Sequence, residues 1–220
     1  MKNLYGTLNR NSTYFFLYAL LLILSTLFCV LVSKPDGFLE INHLHTPFFD
    51  NFFILFTQLG NGLFVVGLMV FLLIRKKFGW SFQIGISFLV SGLLVQVLKQ
   101  FFHSPRPKIY FGSGAIHDIH GITCTGLSSF PSGHTATIFA LTTLLSLYFT
   151  GRKAGLFFFW IAALTGFSRI YLSQHFPIDI LCGSLTGVLT SLIVYLFIPL
   201  KIFERRFSKA EFEKQSIKLQ

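Results

Sequence analysis

The sequence predicts an all-α, polytopic membrane protein with six transmembrane helices and both termini in the cytoplasm. Three observations carry that expectation. Hydrophobic residues make up 53% of the 220-residue chain and charged residues only 12%, against about 25% charged in an ordinary soluble domain. Six apolar runs, at about 14–33, 52–74, 80–98, 133–150, 155–172 and 177–199, are each long enough to be read as a bilayer crossing. The Lys and Arg residues fall in alternate gaps between those runs.

The first run, Tyr14 to Val32, follows Lys2 and Arg10 and resembles a secretory leader in outline. No small-residue cleavage site follows it, and Phe28 stands beside Cys29 where a lipoprotein site needs a small residue, so a retained first helix is expected. The second run holds Gln58 and Asn61 beside Gly60 and Gly62. These amides, with Gln83 and Gln96 in the third run, are expected to face the bundle and bond across helices. The sixth run opens on Pro177, whose missing N–H suits a first helical turn. Residues 1–220 form one transmembrane domain, and the tail 200–220 reads as a basic, amphipathic cytoplasmic segment.

Charge sets the orientation. One set of gaps carries Lys2 and Arg10, Arg75-Lys76-Lys77, Arg152-Lys153, and then Lys201, Arg205, Arg206, Lys209, Lys214 and Lys218. The gap 34–51 has a single Lys against Asp36, Glu40 and Asp50. The positive-inside rule puts the first set in the cytoplasm. The formal charge of +10 is therefore topological; no basic stripe interleaves with aromatics as nucleic-acid binding would require. Three cysteines, two of them inside apolar runs, make no disulfide framework.

One outer segment breaks the charge pattern. Residues 99–131 hold Lys99, Arg106 and Lys108, and Arg169 ends the fifth run on the same side. Three stretches meet there: Lys99-x6-Arg106-Pro107, Pro131-Ser132-Gly133-His134, and Ser168-Arg169-x5-His175-x3-Asp179. Lys99, Arg106 and Arg169 are three fixed cations, and two of them can fork onto phosphate oxygens. Ser132 and Gly133 stand where the fourth helix starts, so its free N–H groups and positive dipole end face the same space. Such an array suits a phosphoryl group in transfer. Asp179, four positions after His175, can hold one imidazole nitrogen and leave the other to attack phosphorus. His134 can protonate the leaving oxygen and then activate water. The cations supply the charge a metal would, so neither a metal nor another cofactor is expected. His103, His117, Asp118 and His120 in the same segment stay on the structural side; of the functional alternatives, a lid or headgroup contact ranks above a metal site, which His117-x2-His120 with Asp118 resembles by composition only.

These stretches resemble the three signature motifs of the type 2 phosphatidic acid phosphatase family, and the resemblance spans roughly residues 99–179 with no departure at the motif positions. It implies His175 as nucleophile, His134 as acid/base, Asp179 as its orienter, and Lys99, Arg106, Ser132, Gly133 and Arg169 as phosphate binders. It also implies a membrane lipid substrate: undecaprenyl diphosphate, phosphatidylglycerophosphate, phosphatidic acid or a lipid A phosphate. The compact form resembles bacterial members, which places the chain in a cytoplasmic membrane with its active site on the outer face and no obligate protein partner. Two other functions fit parts of the pattern. A phosphotransferase would pass the phosphoryl group to an acceptor other than water, and a transporter would need charges at mid-bilayer depth, where only amides lie. A soluble haloperoxidase of the same family would lack the six spans.

Overall fold

A computed structural model describes residues 4–112, 114–198 and 200. Among these the fold is helical throughout: α1 (Leu4–Asn9), α2 (Ser12–Leu31), α3 (Lys34–Asn42), α4 (Pro47–Phe56), a 3-10 turn at Thr57–Gly60, α5 (Gly62–Ile74), α6 (Phe78–Phe102), α7 (Pro107–Phe111), α8 (Gly133–Tyr148), α9 (Arg152–Tyr171) and α10 (Pro177–Phe197). The expected basic tail lies outside the described residues.

Helix α8 is the centre, with α5, α6, α9 and α10 around it and α2 closing the far side of α9 and α10. The α8–α10 contact is set by two small residues at helical spacing. A Cβ on Gly183 would stand 2.6 Å from the Ser132 carbonyl oxygen, and one on Gly187 would stand 2.8 Å from the Ala140 nitrogen, so the backbones touch only because both are glycine. Wrapped on all sides, α8 buries a run of hydroxyls that a lipid-facing helix would not carry. Tyr14 of α2 shares its hydroxyl with Thr142 and Thr143 at 3.0 Å each, and Thr142 also donates to the Ile138 carbonyl at 2.9 Å.

Four stretches are long and apolar enough to cross a bilayer, at Ser12–Leu31, Phe78–Phe111, Arg152–Tyr171 and Pro177–Phe197. The bent pair Pro47–Gly60 and Gly62–Ile74 makes a fifth if it counts as one span. Two of the six expected spans therefore differ from the expectation. The run 52–74 is not one helix: the chain bends by 54° at Asn61, which caps α5 by accepting the Leu63 N–H at 3.0 Å. The run 133–150 is α8, whose 16 residues reach about 24 Å at 1.5 Å each, short of a ~30 Å hydrocarbon core.

The gap 34–51 is also more ordered than its polarity suggests. Ser33 caps α3 and Thr46 caps α4, each followed by a proline in the first turn. Among the amides expected to bond across helices, Gln83 does so, accepting the Tyr148 hydroxyl at 2.7 Å. Gln58 and Asn61 instead bond to each other at 3.2 Å beside the bend, and Gln96 is exposed.

Candidate active site

The site gathers where α6 and α9 end and α8 and α10 begin. The chain reverses sharply after α9. Ser173 takes a left-handed backbone (φ 56°), and the N–H groups of Gln174 and His175 both donate back to the Arg169 carbonyl at 3.0 and 3.1 Å. A serine in that conformation carries a backbone cost. Its hydroxyl offsets the cost by donating to the His117 carbonyl at 2.6 Å and accepting from Asn42 Nδ2 at 2.8 Å. Asn42 also accepts the His117 N–H at 3.0 Å, so α3 and the segment around His117 together clamp the turn that presents His175.

Pro177 opens α10, and Asp179 in its first turn accepts the Phe176 N–H at 3.0 Å on Oδ2. The same oxygen lies 3.3 Å from His175 Nδ1. Both side chains are buried, at 2% and 0% exposure. A carboxylate facing Nδ1 holds the ring proton there and leaves Nε2 its lone pair. Burial, which penalises the charged ring, pushes His175 down to about 4. Its hydrogen bond and charge pairing with Asp179 oppose that shift, and the positive charges of Arg169 and Arg106 add to it. The imidazole is neutral at pH 7.

Ser132 caps α8, its Oγ accepting the Thr135 N–H at 3.4 Å. Its own N–H donates to the Asp179 carbonyl at 3.0 Å, which ties the first turns of α8 and α10 together. His134 follows in the first turn of α8 with its backbone against Gly60, and it lies within electrostatic range of Arg169, His175, Lys99 and Arg106. Arg106 donates its N–H to Gly126 at 3.0 Å and Nη1 to the Gln174 carbonyl at 3.1 Å. Arg169 donates Nη1 to Thr57 Oγ1 at 2.6 Å, while its buried Nε has no partner among the described residues. Lys99, in the last turn of α6, feels both arginines and Asp179.

All eight residues singled out in the sequence thus converge. At Gly133 the nearest atom to an added Cβ would be Val95 Cγ1 at 3.7 Å, so protein packing alone leaves room for a side chain there. Three residues were not anticipated. Ser129 contacts Asp179, Thr57 anchors Arg169, and Gly60 admits the His134 backbone. Thr57 and Gly60 sit in the 3-10 turn that a single apolar run concealed. The outer-segment side chains have found partners of their own: His117 Nε2 lies 3.1 Å from Asp50, and Lys108 pairs with Asp118. Among the described residues no cluster of three or more His, Cys, Asp or Glu is arranged to hold a metal.

The chain is 41% identical over 76 residues to lipid A 1-phosphatase of Porphyromonas gingivalis, covering 32% of this chain and 16% of that one. It is 29% identical over 123 residues to undecaprenyl-diphosphatase BcrC of Bacillus subtilis, covering 56% and 58%. The chain thus spans well under two thirds of either relative. Among solved structures, Aquifex aeolicus LpxE superposes with a TM-score of 0.66 at 31% identity, covering 76% of this chain and 96% of that one. A phosphatidylglycerolphosphate phosphatase from Bacillus subtilis shares the fold, with a TM-score of 0.60 at 24% identity, covering 84% and 95%. A profile described as the PAP2 superfamily matches residues 80–203, more than half of the chain, and on that match the chain belongs to the PAP2 superfamily.

Proposed function

We propose that this protein is an integral-membrane lipid phosphatase that works through a phosphohistidine on His175, without a metal. The observation that carries the reading is the His175–Asp179 pair: a buried, neutral imidazole with Nδ1 against a carboxylate and Nε2 free, beside three cations that form no ion pair with a carboxylate among the described residues. Burial and the neighbouring cations push His134 down to about 3, and the negative charge of a bound phosphate offsets those cations and favours its protonated form. Nε2 then attacks phosphorus, a P–N bond forms, and the P–O bond to the lipid breaks as the protonated His134 gives the leaving oxygen its proton. His134 then takes a proton from water, the resulting hydroxide displaces the imidazole, and inorganic phosphate leaves. Lys99, Arg106, the unpaired Nε of Arg169, the Ser132 hydroxyl and the N–H of Gly133 gather the phosphoryl oxygens. Room at Gly133 that packing does not require suits close approach of such an oxygen.

The similar proteins carry names referring to lipid A, undecaprenyl diphosphate and lipid phosphates, whose shared element is a phosphate on a membrane lipid. Loop charges support an outer-face site and cytoplasmic termini for this single transmembrane domain, and the bacterial sources of several similar proteins support a bacterial cytoplasmic membrane. The test is phosphate release by purified protein from phosphatidic acid, phosphatidylglycerophosphate, undecaprenyl diphosphate and lipid A. At least one should be hydrolysed, His175→Ala should abolish release in a folded protein, and EDTA should change little. Full turnover by His175→Ala would remove the nucleophile, and EDTA loss reversed by one divalent ion would remove metal independence.

A further inference from the structure

Ser129 touches two of the three stretches of the site and stands just before the other. It is fully buried at 0% exposure, three residues before Ser132. Its N–H donates to the Ser104 carbonyl at 3.0 Å, two positions before Arg106. Its hydroxyl donates to Asp179 Oδ2 at 2.5 Å, and its own Oγ stands 3.5 Å from His175 Nδ1. A serine hydroxyl has one proton and two lone pairs. With the proton committed to Asp179, the oxygen turns a lone pair toward the ring, so the Nδ1–H meets two acceptors, at 3.3 and 3.5 Å.

Oδ2 of Asp179 therefore serves three donors at once, from Ser129, Phe176 and His175, while Oδ1 is buried without a partner among the described residues. Each added donor spreads the carboxylate charge and weakens its hold on a proton. That balance matters for a nucleophile that must also leave. A carboxylate that held the imidazole too strongly would favour the protonated ring, which cannot attack. One that held it too weakly would lose the tautomer.

We propose that Ser129 is a positioning residue for His175, fixing Asp179 Oδ2 and the Nδ1 tautomer while moderating the carboxylate charge on the ring. The inference rests on the reading of His175 as nucleophile. The charged and titratable groups that face His175 are Asp179 from α10, Arg169 from α9, Arg106 from the segment before α7 and His134 from α8. Substitution at Ser129 leaves all four in place. Loss of the hydroxyl donor restores charge to Asp179, lets His175 take a proton at higher pH, and moves the acid limb of activity upward.

The experiment measures kcat and KM from pH 4 to 8 with short-chain phosphatidic acid in detergent, for wild type, Ser129→Cys, Ser129→Ala, Ser129→Thr and His175→Gln. Cysteine is close to serine in size and a weak donor, so it decides the matter even where alanine fails to fold. The Cys and Ala variants should lose about tenfold to a hundredfold in kcat at nearly constant KM, the effect of one buried donor to a charged group. Their acid limb should move to higher pH, and Thr should keep it near that of wild type. A Cys variant with wild-type kcat and acid limb, beside an inactive His175→Gln, would overturn the role of Ser129 alone, as would a Thr variant shifted as far as Cys. Turnover by His175→Gln would overturn the nucleophile and the role of Ser129 with it.

Discussion

Arg169 Nη1 and Thr57 Oγ1 stand 2.6 Å apart, so the guanidinium at the end of α9 is held by the 3-10 turn between α4 and α5. That bond fixes one arm of the fork and leaves the buried Nε without a partner among the described residues, the donor proposed above to meet the phosphoryl group. Thr57→Val keeps the shape and removes the acceptor, so inhibition by inorganic phosphate or orthovanadate should weaken about fivefold to tenfold, equivalent to roughly 1 kcal/mol. Thr57→Ser should behave as wild type. Equal inhibition constants for Val and wild type would show that the anchor does not matter to anion binding.

Gly60 fits under the first turn of α8 only without a side chain. A Cβ would lie 2.9 Å from the His134 carbonyl oxygen and 3.0 Å from Thr165 Cγ2. Gly60→Ala must push His134 away from its neighbours, and a displacement of ~1 Å at a reacting group can cost about a hundredfold in rate. We expect kcat to fall by about tenfold or more while thermal stability in detergent drops modestly. A variant with full kcat would show that α8 gives way without moving the imidazole.

The pH dependence of stability follows from His175, held down to about 4 against an ordinary value of 6.5. Between those limits the unfolded chain binds a proton that the folded chain refuses, so this group lowers stability as pH falls from about 6.5 toward 4 and contributes no slope above. The acid limb of activity should likewise lie well below pH 6.5. Thermal unfolding in detergent from pH 7.5 to 4 tests the first point, because His175→Gln should show a shallower acid loss than wild type. Identical slopes would mean that the imidazole protonates freely in the folded protein.

The α8–α10 seam should be intolerant of bulk. Gly187→Leu places a side chain against Ala136 and Ala140 backbone atoms and should cost about 1–3 kcal/mol or more of stability. The same change at Gly67, inside α5 where an added Cβ meets nothing within 4 Å, should cost little or nothing, because glycine is itself a poor helix former. Comparing the two melting temperatures in detergent checks the contrast, and equal losses would show that the seam can open without penalty.

The motif residues were legible because phosphoryl chemistry narrows the choice of side chain: few residues besides Lys, Arg and His can fill the roles proposed for positions 99, 106, 134, 169 and 175. Ser129 and Thr57 were not, since a hydroxyl is common in this chain and only the fold shows which ones meet Asp179 and Arg169. An apolarity count over 52–74 also passed across Gly60-Asn61-Gly62, although two glycines flanking a helix-capping Asn are a recognisable break. Caps were equally present at Ser33 and Thr46, each one or two residues before a proline. Low hydrophobicity marks 34–51 only as a gap between spans, whereas short helices lie there and Asn42 at the end of one braces the turn that holds His175.

The brevity of α8 bears on how the protein comes to exist at all. A 16-residue segment rich in threonine and serine, and carrying His134 at its start, gains too little from hydrocarbon to enter a bilayer on its own account. Its hydroxyls find their partners on α2 and within itself, and its glycine-lined berth is supplied by α10, which is synthesised later. The helix that carries His134 therefore settles into the membrane in company, once α9 and α10 are there to receive it. Assembly of the site and integration of the chain are then the same event.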